Sequence, residues 1–232
     1  MAGIATVTFS SGFANAPRLL HLRQQFLGAS LSFLYKQSFS MMGFNGQLRQ
    51  KRPNFARKLV IKAARTESKG VELGSRAPHF ELPEPLTGKT WTLEDFEAYP
   101  ALLVIFICNH CPFVIHLKKD IVKLANFYMK KGLAVVAISS NSAVTHPQTQ
   151  EVAKDFGAVC TPEFFLFKKD GRRPFELVYH GQFDDSRPSN NVPVTGRDLS
   201  LAIDCVLSGQ PVPSVQKPSI GCSIKWHPGR KL

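Results

Sequence analysis

The sequence is poor in cysteine and has no long hydrophobic run. Its longest unbroken apolar stretch leads into Cys108 and is far shorter than the roughly 18 residues that indicate a membrane-spanning helix. The five cysteines, at positions 108, 111, 160, 205 and 222, are too few for a small secreted domain that depends on disulfides. These two features argue against a membrane protein and against a scaffold that depends on disulfides. The length of 232 residues, of which 44% are hydrophobic, is enough for one well-buried domain with appendages, and no secretory signal indicates export.

Acidic residues are absent from the first 66 positions, which contain ten Lys and Arg residues. From Glu67 onward 19 basic residues nearly balance 17 acidic ones, so most of the net charge of +12 lies in the leader. A basic, hydroxyl-rich leader without acidic residues is typical of an organellar transit peptide, and a first Arg only at position 18 favours the chloroplast. We predict that residues 1–64 are a disordered transit peptide for the chloroplast stroma. The alternatives are a mitochondrial address and a basic arm that binds an acidic partner.

Residues 65–212 have the pattern of an α/β domain, and the proline-rich residues 213–232 are predicted to form a C-terminal tail. Two continuous apolar runs are typical of strands that are buried on both faces. Thr149 is predicted to cap a short helix, and Asp170-Gly171 is a typical hairpin turn. The predicted order is strand, helix, strand, helix, hairpin and helix, at about 101–107, 111–132, 133–139, 149–159, 163–181 and 196–209.

The motif Cys108-Asn-His-Cys111 lies directly after the first buried strand, and Pro112 follows it. Proline is favoured in the first turn of a helix, so Cys108 is expected beside the unpaired N–H groups of a helix N-terminus. That position stabilises a thiolate, the nucleophile of disulfide exchange. The spacing also allows the second thiol to resolve a mixed disulfide, so the motif predicts a redox pair. A metal site is the alternative, although a structural zinc site commonly uses a second such pair, which the sequence lacks.

Two further features support the redox interpretation. His110 precedes the second cysteine and is expected to stabilise the thiolate, which makes the disulfide a stronger oxidant; an exposed turn residue without a tuning role is the alternative. Thr161-Pro162 lies between the second helix and the hairpin, where the X-Pro bond is a candidate for the cis form. A cis-proline loop that faces the cysteines would turn the backbone of Thr161 outward, where an extended peptide substrate can pair with it.

These motifs resemble those of the thioredoxin fold, in its peroxiredoxin-like redoxin branch from plastids and bacteria. The resemblance covers about residues 71–210 and rests on CNHC after a buried strand, CTPEFFLF after a helix, and the ending GCSIKW. It implies an α/β fold with a central mixed β-sheet flanked by helices. It also implies that Cys108 is the attacking cysteine, Cys111 the resolving cysteine and Pro162 the cis-proline.

The connection after Ser139 is short for this branch. Relatives usually place an extra helix and strand between the strand that ends near Ser139 and the helix that begins near Thr149. Direct joining still gives a minimal thioredoxin-like order, so the hypothesis is that this chain lacks one helix–strand insertion.

The predicted function is thiol–disulfide exchange by the CxxC pair with protein substrates in redox homeostasis, with an upstream thiol reductant. No cofactor, metal, nucleic acid or membrane partner is predicted. A peroxiredoxin-like thiol peroxidase is an alternative, but Ala101 and Ile105 stand where the peroxidase pattern has Pro and Thr or Ser before the reactive cysteine. A non-catalytic module that binds a metal or a protein is the other alternative.

The remaining cysteines carry weaker predictions. Cys160 and Cys205 are predicted to be packing residues. Cys222 lies in the predicted tail and is the candidate for an exposed accessory thiol, either resolving or regulatory. No role is assigned to His79, His116, His146 or His180, because companion ligands at recognisable spacing are lacking.

Overall fold

The computed structural model describes residues 65–140 and 148–226, which form strands and three α-helices. The predicted transit peptide, residues 1–64, lies outside the described residues. The strands are β1 (Arg65–Glu67), β2 (Glu81–Pro83), β3 (Thr90–Thr92), β4 (Ala101–Ile107), β5 (Leu133–Ser139), β6 (Cys160–Thr161), β7 (Glu163–Lys168), β8 (Glu176–Gly181) and β9 (Ile220–Ser223). The helices are α1 (Pro112–Met129), α2 (Gln148–Asp155) and α3 (Arg197–Leu207), with a short 3-10 helix at Leu93–Phe96. None of the described helices is long and apolar enough to cross a membrane.

The central sheet has four strands in the order β5-β4-β7-β8. Strand β4 pairs in parallel with β5 and antiparallel with β7, and β7 pairs antiparallel with β8. Helix α1 connects the two parallel strands, α2 precedes the β7–β8 hairpin, and α3 follows it. This arrangement confirms the predicted α/β, thioredoxin-like fold with a central mixed sheet and flanking helices.

Strand β4 divides the hydrophobic core into two parts, because successive side chains of a strand point to opposite faces. Leu102 and Val104 belong to the core that contains residues of α2, whereas Leu103 and Ile105 belong to the core that contains residues of α1 and α3. A strand buried on both faces has no solvent-facing position, which explains its continuous apolar sequence. The packing on both faces fixes the end of β4, which Cys108 follows.

The start of α2 differs from the prediction. The helix begins at Gln148, so Thr149, the predicted cap, lies in its first turn and is buried. The hypothesis of a missing helix–strand insertion concerns the same connection, and residues 141–147 lie outside the described residues. The described elements on either side, β5 and α2, are present in the minimal order.

The segment predicted to be a tail, 213–232, contributes a strand to the domain. Strand β9 lies between β1 and β6 in a three-stranded antiparallel sheet, where Cys222 is opposite Thr161. Prolines suggested a tail, but the nearest ones on either side of β9 in the sequence, at 218 and 228, lie outside the strand and leave its own N–H groups free to pair. This pairing brings Cys222 next to the segment that leads into β7.

Candidate active site

The two cysteines of the CxxC motif lie where β4 meets α1. Cys108 immediately follows β4, and Cys111 is the N-cap residue of α1, with Pro112 in the first helical position. Proline is favoured there because its missing N–H would have no partner in any case. Both thiols are buried, and Cys111 occupies the position next to the unpaired N–H groups of the helix.

One residue, Thr161, contacts both thiols. It is fully buried, and its peptide bond to Pro162 is cis. The Thr161 hydroxyl oxygen lies 3.3 Å from Cys108 Sγ. The Thr161 carbonyl oxygen accepts a hydrogen bond from Cys111 Sγ at 3.0 Å. Since a hydroxyl can donate or accept whereas a carbonyl can only accept, Thr161 offers the two thiols different partners.

Cys222 of β9 is in contact with the CxxC pair. Its Sγ lies 2.8 Å from Cys111 Sγ, and 4% of the residue is exposed. The structure corrects the expectation of an exposed thiol, because the pairing of β9 with β6 buries Cys222. Cys108, Cys111, Cys222 and Val114 form a small buried cluster, against which Phe113 packs.

Gly221 allows β9 to approach the cis-proline loop. A side chain at this position would place its Cβ 2.1 Å from the carbonyl oxygen of Thr161, far inside van der Waals contact. Glycine is used where one backbone must pass close to another. The approach also overturns the expectation that the backbone of Thr161 is available to an extended substrate, because β9 already pairs with it.

The pKa values of the CxxC thiols are shifted in opposite directions. A hydrogen bond from the Cys108 thiol lowers the pKa of Cys111, although burial opposes this. The same hydrogen bond, together with burial, raises the pKa of Cys108, while the Thr161 hydroxyl and the His110 backbone N–H oppose the rise. Of the two thiols, Cys111 therefore loses its proton more easily than Cys108, whose proton is held in the hydrogen bond between the two sulfurs.

The side chain of His110 is exposed, whereas its backbone N–H acts on Cys108. An exposed imidazole interacts with a buried thiolate through water and salt, which screen its charge. The tuning role of the His110 ring stays a prediction.

The other cysteines do not extend the site into a metal centre. Cys160 is fully buried, and desolvation followed by the nearby charge of Glu163 raises its pKa, so it stays a thiol. Cys205 is half-buried on α3. Across residues 65–140 and 148–226, no group of three or more His, Cys, Asp or Glu side chains has the arrangement of a metal site.

Sequence reasoning missed a buried pair next to the cis-proline, formed by Glu163 and His180. One carboxylate oxygen of Glu163 accepts hydrogen bonds from the backbone N–H groups of Val159 and Cys160, at 2.8 and 2.9 Å. The other lies 2.8 Å from His180 Nε2, and the His180 ring stacks on Phe165. The carboxylate thereby holds the turn that leads into Thr161. The signal available in the sequence was a single acidic residue at the start of an apolar strand.

A narrow cleft lies beside the cis-proline. Its lining combines apolar rings with polar groups, including Phe113, His116, Pro162, Phe183, Arg187 and Ile220. Arg187 is held by hydrogen bonds to the carbonyl oxygens of Asp184 and Ser186. One of its lining residues, Phe113, also packs against the buried cluster of cysteines.

Comparisons with known proteins give one family model and similar solved structures. The Redoxin family model matches residues 72–154, which include the CxxC motif but not β9. The chain is similar to a hypothetical protein from Sinorhizobium meliloti, with 45% identity over 71% of this chain and 100% of that chain, and a TM-score of 0.65. It is also similar to an uncharacterized conserved protein from Geobacillus kaustophilus, with 44% identity over 72% of this chain and 98% of that chain, and a TM-score of 0.66. No curated protein matches the chain.

Proposed function

The chain belongs to the thioredoxin-fold redoxin family, and on this basis we propose that it is a dithiol–disulfide oxidoreductase with Cys108 and Cys111 as its reactive pair. Membership of the family supports thiol-based redox chemistry in general. The proposal of dithiol–disulfide exchange by Cys108 and Cys111 is supported by the contact of Thr161 with both thiols. The proposed substrates are protein disulfides, an upstream thiol reductant restores the dithiol, and no cofactor takes part.

Cys108 is the proposed attacking thiol. In the resting pair the proton of Cys108 points to Cys111, whose pKa is lowered by that hydrogen bond. Transfer of this proton to Cys111 gives a Cys108 thiolate without changing the net charge of the buried site. Thr161 favours the new arrangement, because its hydroxyl can donate to the thiolate while its carbonyl accepts from the Cys111 thiol.

Exchange with a substrate then takes two balanced steps. The Cys108 thiolate attacks one substrate sulfur, the substrate S–S bond breaks, and the second substrate sulfur leaves as a thiolate that takes the proton of Cys111. The Cys111 thiolate next attacks Cys108 Sγ in the mixed disulfide. The first substrate sulfur leaves, takes a proton from water, and the Cys108–Cys111 disulfide forms. The substrate has gained two electrons, and the pair has lost them.

The proposed location is the chloroplast stroma. The support is the composition of residues 1–64, which are basic, rich in hydroxyl groups and free of acidic residues. Stromal proteins with disulfides are accordingly the first substrates to examine.

The test is to trap the mixed disulfide. Reduced Cys111→Ser protein, which has lost the resolving thiol, is incubated with stromal extract, and its adducts are separated on non-reducing gels. We expect adducts that dithiothreitol releases and that peptide mapping assigns to Cys108. Cys205→Ser is the matched control and should accumulate no more adducts than the wild type. A folded Cys111→Ser protein that captures nothing through Cys108 would overturn the proposal.

A further inference from the structure

We propose that Cys222 is a third redox thiol, which exchanges with the oxidised CxxC pair through Cys111. The proposal rests on the proposed dithiol function. Its basis is the central position of Cys111, whose sulfur shares a hydrogen bond with Cys108 on one side and lies 2.8 Å from Cys222 Sγ on the other. All three thiols lie in one buried cluster, so exchange among them is intramolecular and needs no thiol from solution.

The exchange is balanced within the protein. When Cys108 and Cys111 are joined, the Cys222 thiolate attacks Cys111 Sγ, the Cys108–Cys111 bond breaks, and Cys108 leaves as a thiolate. The Cys111–Cys222 bond forms, and the proton released by Cys222 is taken up by Cys108. No electrons are gained or lost in this step, since the substrate disulfide has already supplied the oxidation. The product is a protein still oxidised by two electrons, in which Cys108 is again a free thiol.

Strand β9 has the features needed to present Cys222 to the site. It pairs antiparallel with β6, with Cys222 opposite Thr161, which is the place where an extended substrate would otherwise pair. Gly221 permits this approach, because any larger residue would collide with the Thr161 carbonyl. Cys160 is a poorer candidate for the third thiol, because it lies outside the cluster that contains the other three thiols and its Sγ faces the carbonyl oxygen of Ser219.

The first test isolates the proposed bond. The full chain carrying Cys108→Ser and Cys205→Ser is oxidised with diamide, and its disulfides are mapped by mass spectrometry after trypsin digestion. The Cys205→Ser change is included because Lys217 precedes a proline, so Cys205 and Cys222 would share one tryptic fragment. We expect a Cys111–Cys222 cross-link, abolished by a further Cys222→Ser change. Its absence from a protein with native circular dichroism would overturn the proposal, as would a Cys111–Cys160 cross-link in its place.

The second test measures the exchange itself. Wild-type protein oxidised by one equivalent of insulin disulfide is quenched with acid, and free thiols are labelled with N-ethylmaleimide. We expect labelled Cys108 at least tenfold more often in oxidised wild-type protein than in oxidised Cys222→Ser protein. Equal labelling of Cys108 in the two proteins would overturn the proposal.

A third variant tests whether the reaction needs the close approach of β9 as well as the Cys222 thiol itself. Gly221→Ala keeps the thiol but pushes β9 away from Thr161, so the yield of the Cys111–Cys222 cross-link should fall at least tenfold. Gly70→Ala is the matched control, because a Cβ at Gly70 meets no neighbouring atom. An unchanged yield in folded Gly221→Ala protein would contradict the role of the close approach.

The tests also distinguish this proposal from the proposed function. If insulin oxidises the wild-type protein only as far as the Cys108–Cys111 disulfide, the role of Cys222 is refuted, whereas the proposed dithiol exchange is supported. Formation of the Cys111–Cys222 cross-link by diamide, with no reaction of the wild-type protein toward insulin, would refute dithiol exchange with proteins.

Discussion

Replacement of Glu163 by alanine is expected to destabilise the fold by several kcal/mol. The carboxylate is fully buried, accepts two backbone hydrogen bonds, from Val159 and Cys160, and pairs with His180. Alanine removes all of these interactions and leaves the N–H groups and the imidazole buried without this partner. The turn that carries Thr161 toward the thiols loses its main polar support.

The size of the loss in unfolding free energy follows from the burial of Glu163 and its partners. Each buried donor that loses its acceptor costs about 1–3 kcal/mol, so the loss of this partner by two backbone N–H groups and the imidazole should cost about 3–5 kcal/mol. With a urea m value of about 2 kcal/mol per M, the unfolding midpoint should fall by about 2 M. Glu163→Gln keeps an acceptor oxygen for the N–H groups, and His180 can accept a hydrogen bond from the amide, so its cost should be about 1 kcal/mol.

Urea unfolding at neutral pH under reducing conditions, followed by circular dichroism, measures these differences. Glu97→Ala is the matched control, because 66% of the Glu97 side chain is exposed and Lys169 keeps its hydrogen bond to the Glu97 carbonyl oxygen when the carboxylate is removed. Loss of an ion pair with an exposed carboxylate costs about 0–1 kcal/mol. If Glu163→Ala cost no more than Glu97→Ala, the carboxylate would not be what holds the cis-proline turn, and the reasoning from burial would be refuted.

Three other predictions concern the thiols and the leader. Thr161→Val removes the hydroxyl beside Cys108, so mixed-disulfide formation by Cys108 should slow at least about tenfold. The reason is that a hydrogen bond to a charged group contributes about 1.5–3 kcal/mol. An unchanged rate in stopped-flow measurements would contradict this prediction. Burial raises the pKa of Cys160, so above about pH 8.5 the folded protein keeps a proton that the unfolded chain releases, and stability falls as pH rises. Urea unfolding of reduced protein at a series of pH values should show a free energy of unfolding that declines above about pH 8.5. Cys160→Ala should make this decline shallower by up to about 1.4 kcal/mol per pH unit. Equal slopes of unfolding free energy against pH in the two proteins would count against the prediction. A fluorescent protein fused behind residues 1–64 should accumulate in the chloroplast stroma, and mitochondrial or cytosolic fluorescence would contradict the predicted address.

Local patterns were sufficient to predict the central frame. Strand β4 is a continuous apolar run because it is buried on both faces. Pro112 begins α1, and Gly171, with a positive φ of 60°, supplies the turn between β7 and β8. Each of these elements is determined by residues close to one another in the sequence, so their boundaries can be read from it.

The contact between Cys222 and Cys111 is not determined locally. A four-residue strand such as β9 carries no pattern that identifies the strand with which it pairs, and its partner β6 is only two residues long. The importance of Gly221 likewise becomes visible only when the Thr161 carbonyl lies against it. The prolines before β9 suggested a tail, although none of them interrupts the strand.

The Glu163–His180 pair was missed for a different reason. The predicted hairpin places the two residues on neighbouring strands, but only the register decides whether they meet. His180 is opposite Phe165, so Glu163 is its diagonal neighbour on the same face. An irregularity between Leu166 and Phe167 shifts the pairing, and a shift of one residue moves side chains to the opposite face.

The position of the disulfide also determines how much it stabilises the folded state. A Cys108–Cys111 bond closes a loop of about four residues and stabilises the folded state by about 2 kcal/mol in the chain-entropy model. A Cys111–Cys222 bond closes a loop of about 110 residues, for which the same model gives about 5 kcal/mol. The proposed exchange therefore moves the bond to the position where it protects the fold by about 3 kcal/mol more. Strand β9 gains most, because short pairings with β1 and β6 otherwise hold it in its sheet. The redox state of the site and the attachment of β9 are thus coupled through one sulfur, that of Cys111.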